Sequence, residues 1–127
     1  MKTILVDLIY AFVFEDGEIF KEMYDLLETF PNKKILLTGA DDERFKKLGL
    51  SKMPYEVSTL KGNPSKSDPK YYKIMLRHFG LGAGDVVYFE HNMDAVESAQ
   101  SLGIKTYWYD SDKKDLDALK SFLVENL

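Results

Sequence analysis

The sequence contains no cysteine. Disulfides, thiolate metal sites and a cysteine nucleophile are therefore excluded. It has no strongly basic segment, and its formal net charge is -4. Bulk attraction to the phosphate backbone is not available to it, so no nucleic-acid partner is expected. Lys46, Lys47, Lys52, Lys61 and Lys66 are scattered along the middle of the chain; a local patch of this kind could still hold an anion, but scattered lysines are more often a solvated face. No apolar run approaches the ~20 residues needed to span a bilayer. The apolar N-terminus is interrupted by Asp7 and is followed by no small-residue cleavage site. It reads as a core strand, not a signal peptide, which makes the cytoplasm the expected location and leaves no membrane partner. No internal repeat, low-complexity tract or linker divides the chain, and its 127 residues are the size of one domain, 1–127.

What the sequence does contain is a strand–helix alternation. Apolar runs at 3–7, 34–38, 86–89 and 104–109, with a weaker one at 55–58, read as strands buried on both faces. Between them lie helical patterns. Ile19, Phe20, Met23, Leu26, Leu27 and Phe30 follow one helical face and stop at Pro31-Asn32. Asp41-Asp42 caps a short helix that Gly49 ends. Asp68-Pro69 opens another, as an N-cap followed by proline at the first helical position, and Gly80 closes it. Residues 94–102 and 115–127 complete the set. Alternation of this kind predicts an α/β fold with a three-layer, Rossmann-like parallel sheet of about five strands and helices on both faces.

Three of the predicted strands end in polar groups: Asp7 after Ile4-Leu5-Val6, Thr38 after Ile35-Leu36-Leu37, and Glu90 after Val87-Tyr88-Phe89. Open α/β sheets place their chemistry at the C-terminal ends of strands, where the strand order reverses. If the first and fourth strands are neighbours, Asp7 and Glu90 meet there.

With their spacing, these residues resemble the haloacid dehalogenase-like (HAD) superfamily, most of whose members are phosphohydrolases. The resemblance runs in order along nearly the whole chain, and it implies the strand order 5-4-1-2-3. Asp7-Leu8-Ile9 is similar to the family's first motif, Leu37-Thr38-Gly39 to its second, Lys66-Ser67-Asp68-Pro69 to its third, and Glu90-His91-Asn92-Met93-Asp94 to its fourth. The resemblance implies that Asp7 is the nucleophile and that Thr38 and Lys66 hold phosphate oxygens. It also implies a Mg²⁺ ion held by Asp7, Glu90 and the backbone carbonyl of Ile9.

One residue departs from the pattern. The family places a second Asp two residues after the first, as the acid that protonates the leaving group and then activates water. Here that position is Ile9, which moves no proton. Two expectations follow: a weak or atypical phosphatase or phosphotransferase, or an inert HAD-like fold kept for binding. His91, whose unperturbed pKa is near 6.5, is a candidate accessory acid–base group, though a lone loop histidine is usually a surface polar group. Asp94 is an accessory candidate that reads more simply as a helix cap or loop-orienting residue. Neither gap that could hold a cap domain, 8–18 or 59–67, is long enough for one. The expected partner is thus a phosphorylated substrate or a large molecule at an open site, with closure by a homo-oligomer as the other route. A phosphoacceptor receiver domain is a third reading, but 55–58 carries no terminal Asp. The run Tyr107-Trp108-Tyr109 reads as strand and core, and Asp110-Ser111-Asp112 as a turn.

Overall fold

The computed structural model describes residues 1–127. Five strands form one parallel sheet: β1 (Thr3–Asp7), β2 (Lys34–Thr38), β3 (Glu56–Thr59), β4 (Val86–Glu90) and β5 (Lys105–Trp108), in the order β3-β2-β1-β4-β5. This is the expected order read from the other edge. β1 pairs with both β2 and β4, with Val6 opposite Leu36 on one side and Phe89 on the other. Every residue of these three central strands is buried. That explains why they read as unbroken apolar runs rather than alternating ones.

Helices cover both faces. Alternate residues of a strand point to opposite sides, and the core divides accordingly. Ile4, Val6, Leu36, Val87 and Phe89 pack with Met23 and Leu27 of α1 (Lys21–Glu28) and with Leu119 and Leu123 of α5 (Leu116–Asn126). Leu5, Ile35, Leu37, Val86 and Tyr88 pack with Tyr71, Tyr72, Met75 and Leu76 of α3 (Pro69–Phe79) and with Ala99 of α4 (Met93–Gln100). The short α2 (Asp42–Lys47) buries no residue of its own. Its half-buried Phe45, and Leu48 just after it, lean on the first of these layers.

The local signals match their elements. Asp41 caps α2 by accepting from the Arg44 amide. Asp68 caps α3 by accepting from the Lys70 amide, Pro69 takes the first turn, and Gly80 closes the helix at φ +67°. Asp94, read from sequence as a helix cap, is not the cap of α4. Asn92 takes that position and accepts from the Ala95 amide. The sequence reading sets the cap two residues late because a second capping-type residue, Asp94, lies just beyond the true cap.

No cap domain is inserted. Residues 8–20 form a compact flap of turns with isolated bridges Ile9–Val13 and Val13–Ile19, and the buried Phe12 anchors it to the core. The chain between β3 and α3 is a loop. No helix is long and apolar enough to cross a membrane.

Candidate active site

The tips of β1 and β4 are neighbours, and Asp7 and Glu90 converge there. Asp7 follows Leu5 and Glu90 follows Tyr88 on the face covered by α3 and α4. Both carboxylates are almost wholly buried. Buried carboxylates need partners, and each oxygen here has one. The loop before α3 delivers Lys66, whose Nζ lies 2.8 Å from Asp7 Oδ1 and 2.6 Å from Glu90 Oε1. The same ammonium also donates to the Leu37 carbonyl at 3.3 Å. Opposite it, His91 Nδ1 is hydrogen-bonded to Asp7 Oδ2 and lies 3.1 Å from Glu90 Oε2. The His91 amide also donates to Asp7 Oδ2, at 3.1 Å. Glu90 is held further by the Tyr88 hydroxyl at 2.5 Å and the Asn92 amide at 3.0 Å.

These contacts set the protonation states. Burial, and then the Glu90 charge, push the Asp7 carboxyl above its ordinary pKa, against the pull of Lys66 and His91. Burial would also raise Glu90, but Lys66, His91 and Asp7 outweigh it and hold Glu90 well below the usual carboxylate range. Of the two acids, Asp7 is the one that takes a proton more readily. Burial acts against the Lys66 charge, yet the two carboxylates beside it keep its ammonium above the ordinary lysine value. Hydrogen bonds to Asp7 and then Glu90 lift His91 to about 9.

A cleft of about 320 Å³ opens over this cluster, lined by Asp7, Ile9, Thr38, Arg44, Lys66 and His91 among others. The structure thus gathers Asp7, Lys66, Glu90 and His91 into one hydrogen-bonded group and sets Ile9 and Thr38 beside it. The Thr38 hydroxyl accepts from the Ala40 amide at 3.1 Å, which fixes the turn after β2. Lys61 does not compete with Lys66, because it pairs with Asp42 on the surface. Asp94 stands apart, exposed in the first turn of α4, beside a different surface depression lined by Ser67, Glu97 and Ser98.

Ile9 is buried and belongs to the core layer that contains Phe12 and Val13. Its carbonyl oxygen accepts none of the backbone hydrogen bonds of the flap. The donor atoms of Asp7, Glu90 and His91 all lie within 4.8 Å of one another. Two carboxylates, a nearby imidazole and an unclaimed carbonyl are a donor set that fits a divalent cation.

Three contributors escaped the sequence reading. Arg44 brings a cation to the cleft from α2. Its signal was its place one turn after the Asp41 cap, next to a strand tip. Tyr88 lies two residues before Glu90 and so shares its face of β4, an alternation that was legible. Trp108 donates from Nε1 to the His91 carbonyl at 2.8 Å. That contact depends on β4–β5 pairing and has no local signature.

This architecture is the fold of HAD-family enzymes. An aspartate-to-alanine mutant of a HAD-family enzyme from Bacteroides thetaiotaomicron, in complex with magnesium and inorganic phosphate, superposes with a TM-score of 0.75 at 14% identity, over 94% of this chain and 98% of that one. A second structure of that enzyme gives 0.65 at 20% identity, over 80% of this chain and 56% of the other. A HAD-superfamily hydrolase from Geobacter sulfurreducens gives 0.53 at 18% identity, over 76% and 53%. The chain therefore spans slightly more than half the length of these last two. Neither a protein-family model nor a curated protein matches the sequence.

Proposed function

We propose that this chain is a capless HAD-like phosphohydrolase or phosphotransferase working through an aspartyl phosphate on Asp7. The observation that carries the reading is the buried Asp7 carboxylate at the tip of β1, paired with Lys66 and set against Glu90 at the head of the cleft. Asp7 offers one oxygen to phosphorus, and the bond from phosphorus to the leaving oxygen breaks. Water then attacks the phosphorus of the acyl phosphate, which frees phosphate and restores the Asp7 carboxylate. Lys66, Thr38 and Arg44 hold the phosphate oxygens, each through a hydrogen-bond donor or positive charge. Asp7, Glu90 and the Ile9 carbonyl are the residues that would hold Mg²⁺. When bound, that ion would neutralise charge on the transferring phosphoryl group. The Bacteroides enzyme in complex with magnesium and inorganic phosphate supports this by analogy of fold.

Ile9 sets the character of the reaction. The departing oxygen leaves with its electron pair and finds no acid at this position, so it must be stable as an anion or take its proton from water. Aryl and acyl phosphates meet that condition, whereas alkyl phosphates meet it poorly. Turnover is therefore expected to be slow and steeply dependent on the leaving group. With no inserted domain over the cleft, large phosphorylated substrates are the class that fits.

One observation favours a second reading, an inert HAD-like fold kept for binding. Lys66 and His91 already satisfy both carboxylates from opposite sides, and the acid–base position is filled by a core side chain. The two readings separate in an assay of wild type, Asp7→Asn and Ile9→Asp against an aryl phosphate and a panel of phosphorylated metabolites, with and without Mg²⁺. Slow, Mg²⁺-dependent release in wild type, lost in Asp7→Asn and raised in Ile9→Asp by up to the ~10²–10⁴-fold of general acid–base help, is the expected result. No Asp7-dependent release from either wild type or Ile9→Asp leaves the inert reading standing.

A further inference from the structure

We propose that His91 is itself a metal ligand, and that it turns an oxygen-donor pocket into a mixed carboxylate–imidazole site selecting a borderline dication of the Co²⁺ or Zn²⁺ type over Mg²⁺. This rests on the part of the functional reading that puts a divalent cation between Asp7 and Glu90. It does not depend on turnover.

The four oxygens of the two carboxylates divide into two sets. Lys66 takes Asp7 Oδ1 and Glu90 Oε1, at 2.8 and 2.6 Å. The remaining pair, Asp7 Oδ2 and Glu90 Oε2, faces His91 Nδ1. A cation that enters between the acids without expelling Lys66 therefore meets one oxygen from each carboxylate and the imidazole nitrogen together. Those donor atoms are already within 4.8 Å of one another.

The ring is held for this position rather than resting there by chance. The His91 amide is tied to Asp7, its carbonyl to the Trp108 indole, and its ring packs against Tyr10 with centroids 5.3 Å apart. Tyr10 reaches that place from a backbone at φ +75°, a conformation that disfavours any residue with a Cβ.

The donor chemistry gives the selectivity. Mg²⁺ prefers oxygen ligands and retains its waters, whereas imidazole suits Zn²⁺, Co²⁺ and their neighbours. Ligation uses the Nδ1 lone pair, so the ring enters neutral and the Nδ1 proton passes to solvent. Almost any nitrogen- and oxygen-bearing site binds Co²⁺ more tightly than Mg²⁺. The diagnostic is therefore the change in the Co²⁺/Mg²⁺ affinity ratio when His91 is altered, not the ratio in wild type.

Titration calorimetry of the full chain with CoCl₂ and MgCl₂ separately, on wild type, His91→Ala, His91→Asp, Asp7→Asn and a His78→Ala control, tests this. The expected result is a Co²⁺/Mg²⁺ ratio that falls by about tenfold or more in His91→Ala, falls further in His91→Asp, and is unchanged in His78→Ala. Proton NMR of the Co²⁺-loaded wild type should show a hyperfine-shifted, exchangeable imidazole N–H that is absent from His91→Ala. A ratio indifferent to both His91 substitutions, with no such resonance, overturns the proposal. If Mg²⁺ still binds in an Asp7-dependent manner under that outcome, the phosphohydrolase reading survives. If neither metal binds in an Asp7-dependent manner, both fail.

Discussion

Lys66 shows how much one side chain does here. Its ammonium is the only lysine charge paired with the two buried acids. Without it, Asp7 and Glu90 face one another with His91 as their sole cationic partner. Breaking a buried ion pair by removing one member typically costs about 3–5 kcal/mol, because the remaining charge is left uncompensated. Lys66→Met is therefore expected to lose about that much stability in metal-free buffer, read by urea denaturation. A divalent cation supplies the missing charge, so added CoCl₂ or MgCl₂ should raise the melting temperature of Lys66→Met more than that of wild type. An equal shift in both proteins would show that the cation does not take over the charge of Lys66. At this scale much was visible beforehand: Asp7, Thr38, Lys66 and Glu90 each stand at the end of an apolar run or just before a helix. The place of His91 between the two carboxylates was not. It depends on how β4 ends relative to β1, and no local pattern encodes that.

The element that departs most from a simple strand–helix alternation is the flap of residues 8–20. Its Asp16-Gly17 turn signal is compatible with a small hairpin or a helical turn. The structure is a set of turns closed by the amides of Phe12 and Val13, which both donate to the Leu8 carbonyl. The flap is pinned to the end of α2 by Gly17. That residue sits at φ +90°, and a Cβ there would lie 2.6 Å from the Leu48 carbonyl oxygen. Such contact with rigid backbone forces one segment away from the other. Gly17→Ala is expected to destabilise the fold by about 1–3 kcal/mol, measured by thermal or urea unfolding. A neutral result would mean that the flap moves independently of α2. The helices were easier to read. Asp68-Pro69 and Gly80 are strong boundary chemistry, and they bound α3 where they were expected to. The inward turn of Tyr71 was missed. Its ring is buried and its hydroxyl donates to the Thr38 and Ser58 carbonyls, each at 3.1 Å, so it joins α3 to the ends of β2 and β3.

Across the whole molecule the core holds several buried phenols. Tyr71, Tyr72, Tyr88 and Tyr109 are all buried. Burial, acting as the leading cause, pushes Tyr71 and Tyr109 up to about 12, and Tyr72 and Tyr88 also rise. In the unfolded chain tyrosine ionises near 10. The folded state thus holds the protons more tightly, and its stability from this source is intact below about pH 10. It is lost as the pH climbs through about 12. Alkaline titration should therefore show tyrosinate absorbance and loss of far-UV circular dichroism rising together over that window. Full tyrosinate absorbance near pH 10 with the fold intact would contradict the burial of these rings. The Tyr109 hydroxyl has no hydrogen-bond partner. Tyr109→Phe should accordingly be neutral or stabilising by up to about 1 kcal/mol, with the alkaline transition moved upward.

Strands, helices and the layered sheet follow from patterns local in sequence: apolar runs of strand length and helix caps, with right-handed crossovers limiting the topologies to a few. Those signals survive in one dimension because each concerns residues a few positions apart. The pairing of Lys66 and His91 on opposite sides of two carboxylates is of another kind. Lys66 and Asp7 are 59 positions apart, and His91 and Asp7 are 84. The directions of such side chains are set by the burial of every strand between them, so the charge balance of the site arose only when the chain closed.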